Sequence, residues 1–518
     1  MTQNTENNVG MSTVKAVEAG DVSAIHVSND AADDVDLKAP PLATIPKPDS
    51  IANMSDEELR RLSVKMTRKM DLVIMPIMGI LYILNYVDRS ALAAAKVYGI
   101  MDDLGMTTQQ FATAISILFV GYLPFQIPSN LIMTRITRPG LYICSAAAIW
   151  GAVSARTAAA QSYSGLLAIR VFLGVTEAVF FPGVLYFLSA WYDRSQLGKR
   201  LAALFMFQMI GSAFGGFVAA ACLTLDGRYG IAGWRWLFIV EGTVTVGCGI
   251  IFALIMPEFP HNARRLLTPV ERDYAVWRLE MEAGAGEAHE ETTVWQGFKL
   301  AMTDPKIWAL VWCGGMGQAM GTIVNFFPTI VSTLGYSSLI TLLLTAPPYI
   351  LAAIVFYIIS YISDRRNVMY IIIVSCLGVA VAAYIIALST LNTGARYFAM
   401  MLMPSVCSGP QIMLYKTLHL HMARPFPKRA AGVAMINAIG GLSNVWGSYL
   451  YYAGPHFYAA FGCLLGCTIA FFVTITLYLF HVRRLNRLLG GTPEDQRRAM
   501  KSGVTQQQVD MGWRYVGY

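Results

Sequence analysis

Residues 72–94 read LVIMPIMGILYILNYVDRSALAA, an apolar stretch of 23 residues that contains one Asp and one Arg. A helix needs about 20 mostly apolar residues to cross the roughly 30 Å hydrocarbon core of a bilayer. In lipid every backbone N–H and C=O must be paired within the segment, as happens in a helix. Strands of a membrane barrel would instead be about ten residues of alternating polarity. The stretch therefore predicts a transmembrane helix.

The same character recurs along the chain, which is 55% hydrophobic and only 14% charged. A soluble domain carries about 25% charged residues, so lipid is the expected solvent. We predict an all-α membrane protein with twelve transmembrane helices in two six-helix pseudo-repeats. The predicted spans are 72–94, 111–133, 141–159, 164–190, 201–224 and 235–256, then 307–330, 338–362, 369–390, 396–419, 430–452 and 457–481.

Composition divides the chain into five parts. Ser55 and Glu58 form a capping-box pattern that predicts a short helix leading into the first span. The residues before it are polar and rich in proline, a composition that cannot bury a core. The predicted parts are a disordered cytoplasmic tail at 1–54, a six-helix bundle at 55–256, a cytoplasmic linker at 257–306, a second bundle at 307–481 and a cytoplasmic tail at 482–518.

The net charge of +7 does not indicate a nucleic-acid-binding protein, because of where the basic residues lie along the chain. They cluster at alternate helix junctions, which by the positive-inside rule face the cytoplasm. Both termini are then cytoplasmic, in agreement with an even number of spans. The clusters are Lys65, Arg68 and Lys69; Arg135 and Arg138; Arg194, Lys199 and Arg200; Arg365 and Arg366; Arg424, Lys428 and Arg429; and Arg483, Arg484 and Arg487.

The sequence carries no pattern typical of an enzyme. All eight cysteines fall inside apolar spans, without metal-ligand spacing to histidine, so they are interpreted as small buried hydrophobes. A phosphate-binding loop is absent, which argues against transport driven by ATP. We therefore expect a non-enzymatic protein that holds neither a metal nor a cofactor.

Several motifs identify a family by resemblance. They are LNYVDRS from Leu84, GYLPFQIPSN from Gly121, RVFLGVTEAVFFPG from Arg170, GWRWLFIVEG from Gly233, NFFPTI from Asn325 and LTAPPY from Leu344. Together they resemble the major facilitator superfamily, and within it the anion:cation symporter family in its fungal allantoate/nicotinate/pantothenate permease-like branch. The superfamily's loop pattern after spans two and eight is incomplete here. The candidate gating residues that remain are Arg135, Asp364 and Arg365.

The resemblance implies roles for three ionisable residues inside the spans. Arginines matching Arg89 and Arg170 contact the substrate anion in such transporters, and the acid matching Glu177 takes part in proton coupling. The chemistry agrees, because Arg stays charged and can bind a carboxylate through two hydrogen bonds. Arg170 and Glu177 are seven residues apart on one helix face, with a rise of about 10 Å between them, so direct pairing would need stretched side chains.

Other candidates keep two interpretations. Asp88 either takes part in proton coupling or pairs with its neighbours, and Glu241 is either a second titrating group or a structural partner of Arg235 or Arg228. Uncharged residues could contact the rest of the substrate, although an amide inside a membrane often bridges two helices. These candidates are Tyr86, Gln208, Asn325, Gln411 and Asn437.

The predicted function is secondary active transport, with proton-coupled uptake of a small organic anion such as a monocarboxylate vitamin. The alternatives are a proton-coupled exporter of a secondary metabolite or drug, and a nutrient sensor. The stretch 211–216 lacks the proline that many exporters carry there, and the tails at the two ends are short for a sensor. We expect a monomer in the plasma membrane, with the anion, protons and the lipid bilayer as its partners.

Overall fold

The computed structural model describes residues 46–133, 135–287, 293–366, 368–422, 426–502, 504, 509 and 514–515. Within these residues the regular structure is helical throughout. In the first half the helices are α1 Asp56–Val97, α2 Ile100–Asp103, α3 Thr108–Met133, α4 Pro139–Arg156, α5 Tyr163–Glu177, α6 Phe180–Ser189, α7 Arg194–Leu223 and α8 Gly233–Ile255. The linker carries α9 Pro269–Glu287 and α10 Val294–Thr303.

The second half repeats this plan. Its helices are α11 Pro305–Gly321, α12 Phe327–Ser332, α13 Ser338–Leu343, α14 Ala346–Arg366, α15 Met369–Ser389, α16 Thr393–His421, α17 Phe426–Gly441, α18 Ser443–Gly447, α19 Tyr458–Leu489 and α20 Pro493–Lys501. The end of the bundle where α1 finishes and α3 begins is called the distal end below. The opposite end, where α3 finishes, is the proximal end.

Nine helical stretches in the described residues are long and apolar enough to cross a membrane. The predicted all-helical membrane fold is therefore confirmed. The remaining predicted spans, 141–159, 396–419 and 430–452, coincide with α4, α16 and α17–α18. These helices are more polar or shorter, since α4 ends in Arg156, α16 carries Lys416, and α17 has 16 residues.

The predicted capping box at the start of α1 is present. Glu58 N–H donates to Ser55 Oγ at 3.3 Å, and Ser55 N–H donates to Glu58 Oε2 at 2.8 Å. The predicted short helix and the first span form one helix of 42 residues, because nothing in the intervening basic turn ends it. This long helix carries Asp88 and Arg89 towards the distal end.

Prolines interrupt two spans next to polar groups. Pro182 has no N–H to offer the Ala178 carbonyl, and the fourth span breaks there into α5 and α6, directly after Glu177. In the same way Pro348 leaves the Leu344 carbonyl free at the break before α14. That carbonyl accepts a hydrogen bond from Tyr397 Oη at 3.1 Å, so a neighbouring helix satisfies the acceptor that the break leaves free.

Glycines bring α3 and α5 into backbone contact. A Cβ at Gly121 would overlap the Val171 carbonyl, and a Cβ at Gly174 would overlap the Leu118 carbonyl. Small residues allow this kind of approach inside a membrane. The contact holds the inner face of α5, which carries Arg170 and Glu177, against α3.

The two halves touch at the distal end. Thr113 Oγ1 on α3 and Tyr449 Oη of the second half lie 3.0 Å apart. A Cβ at Gly216 on α7 would overlap the Thr345 side chain. The last part of α3 is different, because Phe125, Ile127 and Leu131 are 46%, 69% and 62% exposed. The helix is therefore enclosed at its distal end and open on most sides at its proximal end.

Residues 46–54, which the sequence-based division assigns to the tail, pack against the linker. Ile51 is fully buried, and Ser50 Oγ donates to Asp273 at 2.7 Å. Lys69 Nζ at the start of the first span pairs with Glu271 of α9 at 2.7 Å. The linker is thus bound to the proximal end of the first bundle, while residues 1–45 lie outside the described part of the chain.

The C-terminal segment folds back onto the proximal end of the second bundle. Tyr515 is 2% exposed, and its N–H and carbonyl both hydrogen bond with the Asn486 side chain, at 2.9 and 2.8 Å. Its hydroxyl accepts from Lys306 Nζ at 3.1 Å, and its ring packs edge-on against His421. Tyr515 therefore joins α11, α16 and α19.

We expect Tyr515→Ala to lower the thermal stability of the purified protein clearly, because removing a buried aromatic ring costs roughly 3–5 kcal/mol. Tyr515→Phe keeps the ring and both backbone hydrogen bonds and should cost less. The check is the apparent Tm of both variants in detergent. Equal Tm values for Tyr515→Ala and the unchanged protein would show that the segment does not support the bundle.

Docking of α9 should depend on pH. Burial works to raise the pKa of Glu271, but the Lys69 ammonium and the Thr268 N–H outweigh it and hold the pKa below its ordinary value of 4.5. A depressed carboxyl pKa stabilises the docked state above pH 4.5, and this contribution is lost as the pH falls through the depressed value.

The measurement is protease sensitivity of the linker in reconstituted protein from pH 7 down to pH 3. Cleavage should stay slow down to about pH 5 and become faster in more acidic buffer, because the lowered pKa of Glu271 keeps its carboxylate ionised until then. Glu271→Gln should be cleaved faster already at pH 7. If that variant and the unchanged protein have the same profile, this ion pair does not dock the linker.

A buried charge cluster as the candidate functional site

Ionisable side chains from three helices meet inside the first bundle. Asp88 and Arg89 come from α1, Arg170 and Glu177 from α5, and Glu241 from α8. Their side chains are buried apart from Arg89, which is 17% exposed. A charged side chain at the centre of a membrane helix costs about 2.5–3.5 kcal/mol on insertion scales, so such residues normally have a partner or a cavity. This group is called the charge cluster below.

Arg89 and Glu177 form the central ion pair. Arg89 Nε donates to Glu177 Oε2 at 2.9 Å, and Glu177 is completely buried. The other carboxylate oxygen, Oε1, is buried without a hydrogen-bond partner. The two terminal nitrogens of Arg89 make no ion pair with a carboxylate in the described residues. Both partners thus keep polar atoms that this contact does not use.

Two tyrosine rings flank the Arg89 guanidinium. Its Cζ lies 4.7 Å from the Tyr122 ring centroid and 5.5 Å from that of Tyr86. The face of an aromatic ring attracts a cation, by about 0.5–1 kcal/mol at exposed sites and more where water is excluded. Tyr86 in turn packs edge-on against Tyr82 at 5.3 Å. The predicted candidate Tyr86 therefore lies directly beside the arginine.

Asp88 points to the other side of α1, into the bundle. Its Oδ1 accepts a hydrogen bond from Ser154 Oγ of α4 at 2.5 Å, and its Oδ2 is buried without a partner. Arg170 is 2% exposed and interacts electrostatically with Asp88, Glu177 and Glu241. Arg170 therefore lies among three acids. One of them, Glu177, lies two turns further along α5, and Arg89 binds this acid directly.

The structure gives Glu241 no hydrogen bond with Arg235 or Arg228, the two arginines considered above. Arg235 donates from Nη1 to the carbonyls of Ala158 and Ala160, at 2.5 and 3.0 Å, so it is not the structural partner considered above. Both Glu241 carboxylate oxygens are buried and have no hydrogen-bond partner. The acid interacts instead with Asp88 and Arg170, which makes it a member of the charge cluster.

The balance of charge in the cluster permits proton uptake. Three carboxyl groups face two guanidinium groups, and these five groups interact at close quarters in a region that excludes water. With every carboxyl ionised the group carries one excess negative charge, so binding one proton makes it neutral. Oxygen atoms without a hydrogen-bond partner on Asp88, Glu177 and Glu241 are available to receive that proton.

The four amide candidates make no hydrogen bond to the charge cluster in the described residues. Asn325 Nδ2 donates to Asn444 Oδ1 at 3.3 Å, where spans seven and eleven both break. Asn437 Oδ1 accepts from Tyr415 Oη at 2.7 Å. The Gln411 side-chain amide is buried without a partner, and Gln208 is half-buried on α7. Two of these amides bridge helices, which is the other interpretation that the sequence allowed.

The candidate gating residues do not meet. Arg135 is exposed in the turn after α3, and the Arg365 guanidinium lies 5.1 Å from the Tyr361 ring centroid on its own helix. The described residues give no contact between these two arginines. Asp364 lies within α14, and its side chain is outside the described part of the structure. Coupling between these loops stays a prediction.

Sequence reasoning missed two residues of the site. Tyr122 lies within a quoted motif, but only the α3–α5 backbone contact shows that its ring reaches Arg89. Ser154 sits in a span of small residues without any signal of its own, and it hydrogen bonds Asp88 because α4 packs against α1 and α5 here. Both were accessible only through the packing of helices.

Breaking the central pair should destabilise the protein. Arg89→Met leaves the buried Glu177 without its partner, and loss of one partner of a buried pair costs about 3–5 kcal/mol. Arg89→Met/Glu177→Gln removes both charges and should recover most of the loss. The measurement is the apparent Tm of the three proteins in detergent. Arg228→Met, an exposed arginine at the distal end, is the control and should have little effect.

Comparison with known proteins agrees with this architecture. The family model described as Major Facilitator Superfamily matches residues 78–448. The transporter cnsO of Penicillium expansum is 29% identical over 86% of this chain and 88% of its own length. The high-affinity nicotinic acid transporter of Saccharomyces cerevisiae is 29% identical over 74% of this chain and 71% of its own.

Solved structures share the fold at low identity. A bacterial homologue of the human lysosomal transporter Spinster, in an inward-facing unoccupied conformation, matches with a TM-score of 0.62 at 14% identity, covering 84% of this chain and 98% of that protein. The xylose transporter XylE from E. coli matches with a TM-score of 0.59 at 13% identity, covering 78% of this chain and 96% of that protein. With a family match over most of its length and buried charges inside a helical bundle, this chain is a membrane transporter of the Major Facilitator Superfamily and not an enzyme.

Proposed function

We propose that this transporter takes up a small organic anion together with protons, and that the Arg89–Glu177 pair couples the two. The observation that carries the proposal is the 2.9 Å contact between a partly exposed guanidinium and a completely buried carboxylate. An arginine that remains charged at every relevant pH can exchange one carboxylate partner for another. The internal partner is Glu177, and the external one is the carboxylate of the substrate.

Protonation decides which partner Arg89 holds. While Glu177 is ionised it occupies Arg89 Nε and competes with any incoming anion. Glu177 Oε1 has no hydrogen-bond partner and can accept a proton. Protonation removes the negative charge of Glu177 and weakens its contact with Arg89. The guanidinium is then free to bind a substrate carboxylate through two hydrogen bonds. Proton and anion cross together, because the proton on Glu177 offsets the charge of the anion that replaces it at Arg89.

The exchange of partners at Arg89 also involves three charged residues further inside the bundle, Arg170, Asp88 and Glu241. Arg170 interacts with all three acids, so a proton that leaves Glu177 can be held by another carboxyl without exposing the arginine. Asp88 receives the Ser154 hydrogen bond, which favours its ionised form, whereas Glu241 has no such donor. Glu241 is therefore the better second site for the proton.

The class of substrate rests on two supports. The site offers arginine beside tyrosine rings, which suits a carboxylate attached to a small planar or apolar body. A yeast relative is named as a nicotinic acid transporter, and it shares 29% identity over 74% of this chain. A monocarboxylate of that size is the substrate proposed here, in keeping with membership of the anion:cation symporter family.

Orientation follows from the charges and the closed end. Basic clusters such as Lys65, Arg68 and Lys69 lie at the proximal end, which places that end and both termini in the cytoplasm. The distal contacts then close the outer side, which supports an inward-facing state. We assign the protein to the plasma membrane as a monomer.

The decisive experiment is uptake of labelled nicotinate into vesicles with an inward proton gradient. The unchanged protein should accumulate the anion, and a protonophore should abolish accumulation. Glu177→Gln mimics the protonated acid, so it should exchange internal for external nicotinate but lose gradient-driven accumulation by at least tenfold, about 1.4 kcal/mol of coupling. Glu57→Gln, which changes an exposed carboxyl outside the spans, is the control.

Each outcome separates the candidate functions. If Glu177→Gln still concentrates nicotinate along the proton gradient, Glu177 does not couple transport. Accumulation only when the vesicle interior is acidic would identify an exporter instead. Binding without any flux would identify a sensor. Failure of nicotinate alone, with accumulation of another carboxylate, would change the substrate and keep the mechanism.

A further inference from the structure

A cavity with a largely aromatic wall lies between the two halves at the distal end, away from the charge cluster. Its volume is about 330 Å³, within the range of small-molecule sites. The wall includes one cation, Lys96 at the end of α1, and five aromatic residues, Phe111, Phe326, Tyr449, Tyr451 and Tyr452. None of these residues takes part in the Arg89–Glu177 exchange. This space is called the distal cavity below.

Lys96 is a cation without an acidic partner. Its side chain is half-buried, and Nζ lies 5.1 Å from the Phe111 ring centroid. No carboxylate in the described residues forms an ion pair with it, although acids such as Asp102 and Asp103 lie on the adjacent short helix. An ammonium group that is partly removed from water and lacks a counter-charge attracts an anion.

The aromatic residues give the cavity a flat, fixed wall. Phe326 and Tyr451 stack with ring centroids 4.4 Å apart and an interplanar angle of 11°. Phe326 and Tyr451 are both 2% exposed, so they form a fixed base that is held by the core. Tyr449 and Tyr452 are 37% and 64% exposed, so their rings are the ones available to a planar ligand. Aromatic stacking is worth about 0.5–1.5 kcal/mol per pair beyond burial.

The cavity also touches the seal between the halves. Tyr449 lines it, and the hydroxyl of the same residue lies 3.0 Å from Thr113 Oγ1 on α3. Ser116 Oγ donates to that hydroxyl at 3.4 Å. A ligand that packs against the Tyr449 ring therefore lies against the contact that must separate before the outer side opens.

We propose that the distal cavity binds a small planar monocarboxylate, with the carboxylate on Lys96 and the ring against the aromatic wall. One cation selects a single negative charge, and the stacked rings select a flat body. The proposal rests on the proposed function only for the identity of the anion. It adds an outer binding site that holds the substrate beside the closed seal, before the anion reaches Arg89.

The test is protection of an engineered thiol from a neutral maleimide. Gln109 also lines the cavity and is exposed, so Gln109→Cys should react readily in reconstituted protein. An uncharged reagent is needed because Lys96 would itself attract or repel a charged one. The eight native cysteines are buried or half-buried, and the parent protein measures their background labelling.

Nicotinate at about four times its dissociation constant should slow labelling of Gln109→Cys about fivefold, whereas uncharged nicotinamide should not. Adding Lys96→Met should remove the protection, and Lys96→Arg should keep it. Protection should persist with Arg89→Met/Glu177→Gln, where the central site is altered but the buried charges still balance. Arg228→Met is the matched control for loss of a distal cation and should leave protection unchanged.

The outcomes distinguish this site from the transport mechanism, because labelling requires no flux. Protection by nicotinate that depends on Lys96 supports the distal site even if uptake fails. Equal protection by nicotinamide, or protection that survives Lys96→Met, overturns it. Protection that disappears in Arg89→Met/Glu177→Gln places the anion at the central site and likewise overturns it, while leaving the proposed function intact.

Discussion

Arg89 and Glu177 hold each other in a part of the protein that is closed to water, and neither can be left alone there. A buried charge without a partner costs several kcal/mol, so each change in one group must be matched by a change in the other. The contact between α1 and α5 at this point is made by the Arg89 side chain, which reaches Glu177. In the mechanism proposed above, protonation of the acid and arrival of the anion compensate for each other.

The helix breaks also lie next to polar groups inside the bundle. The fourth span breaks immediately after Glu177, and spans seven and eleven break where Asn325 meets Asn444. Interrupted helices are tolerated at membrane depth only where protein or a cavity surrounds them. Both sets of breaks therefore lie towards the interior of the transporter. One set borders the charges of the first half, and the other carries uncharged amides in the second half, so the two halves contribute different chemistry to one path.

Long apolar runs predicted the fold well. A membrane helix must pair its own backbone N–H and C=O groups and face lipid with apolar side chains, so it is recognisable from its composition. The capping box at Ser55 and the break at Pro348 were also predictable, since both depend on neighbours in sequence. The weaker spans, such as α16, carry polar residues that serve contacts inside the bundle and so lose the apolar signature. Residue types alone therefore define the bundle better than the individual helices in it.

The residues of the site could be predicted from the sequence, but the ion pairs and hydrogen bonds between them could not. Resemblance and chemistry selected Arg89, Arg170 and Glu177, yet the spacing along α5 suggested only a shared face for the last two. Which arginine binds the acid depends on how the helices are placed in space. Gly121 and Gly174 set the close approach of α3 and α5, and this role appears only when backbones meet. Glu241 shows the same limit, because the arginine nearest in sequence binds backbone carbonyls instead. The cluster thus contains three acids and two arginines, and the pairs among them are set by the packing of the helices and not by the spacing of these residues along the chain.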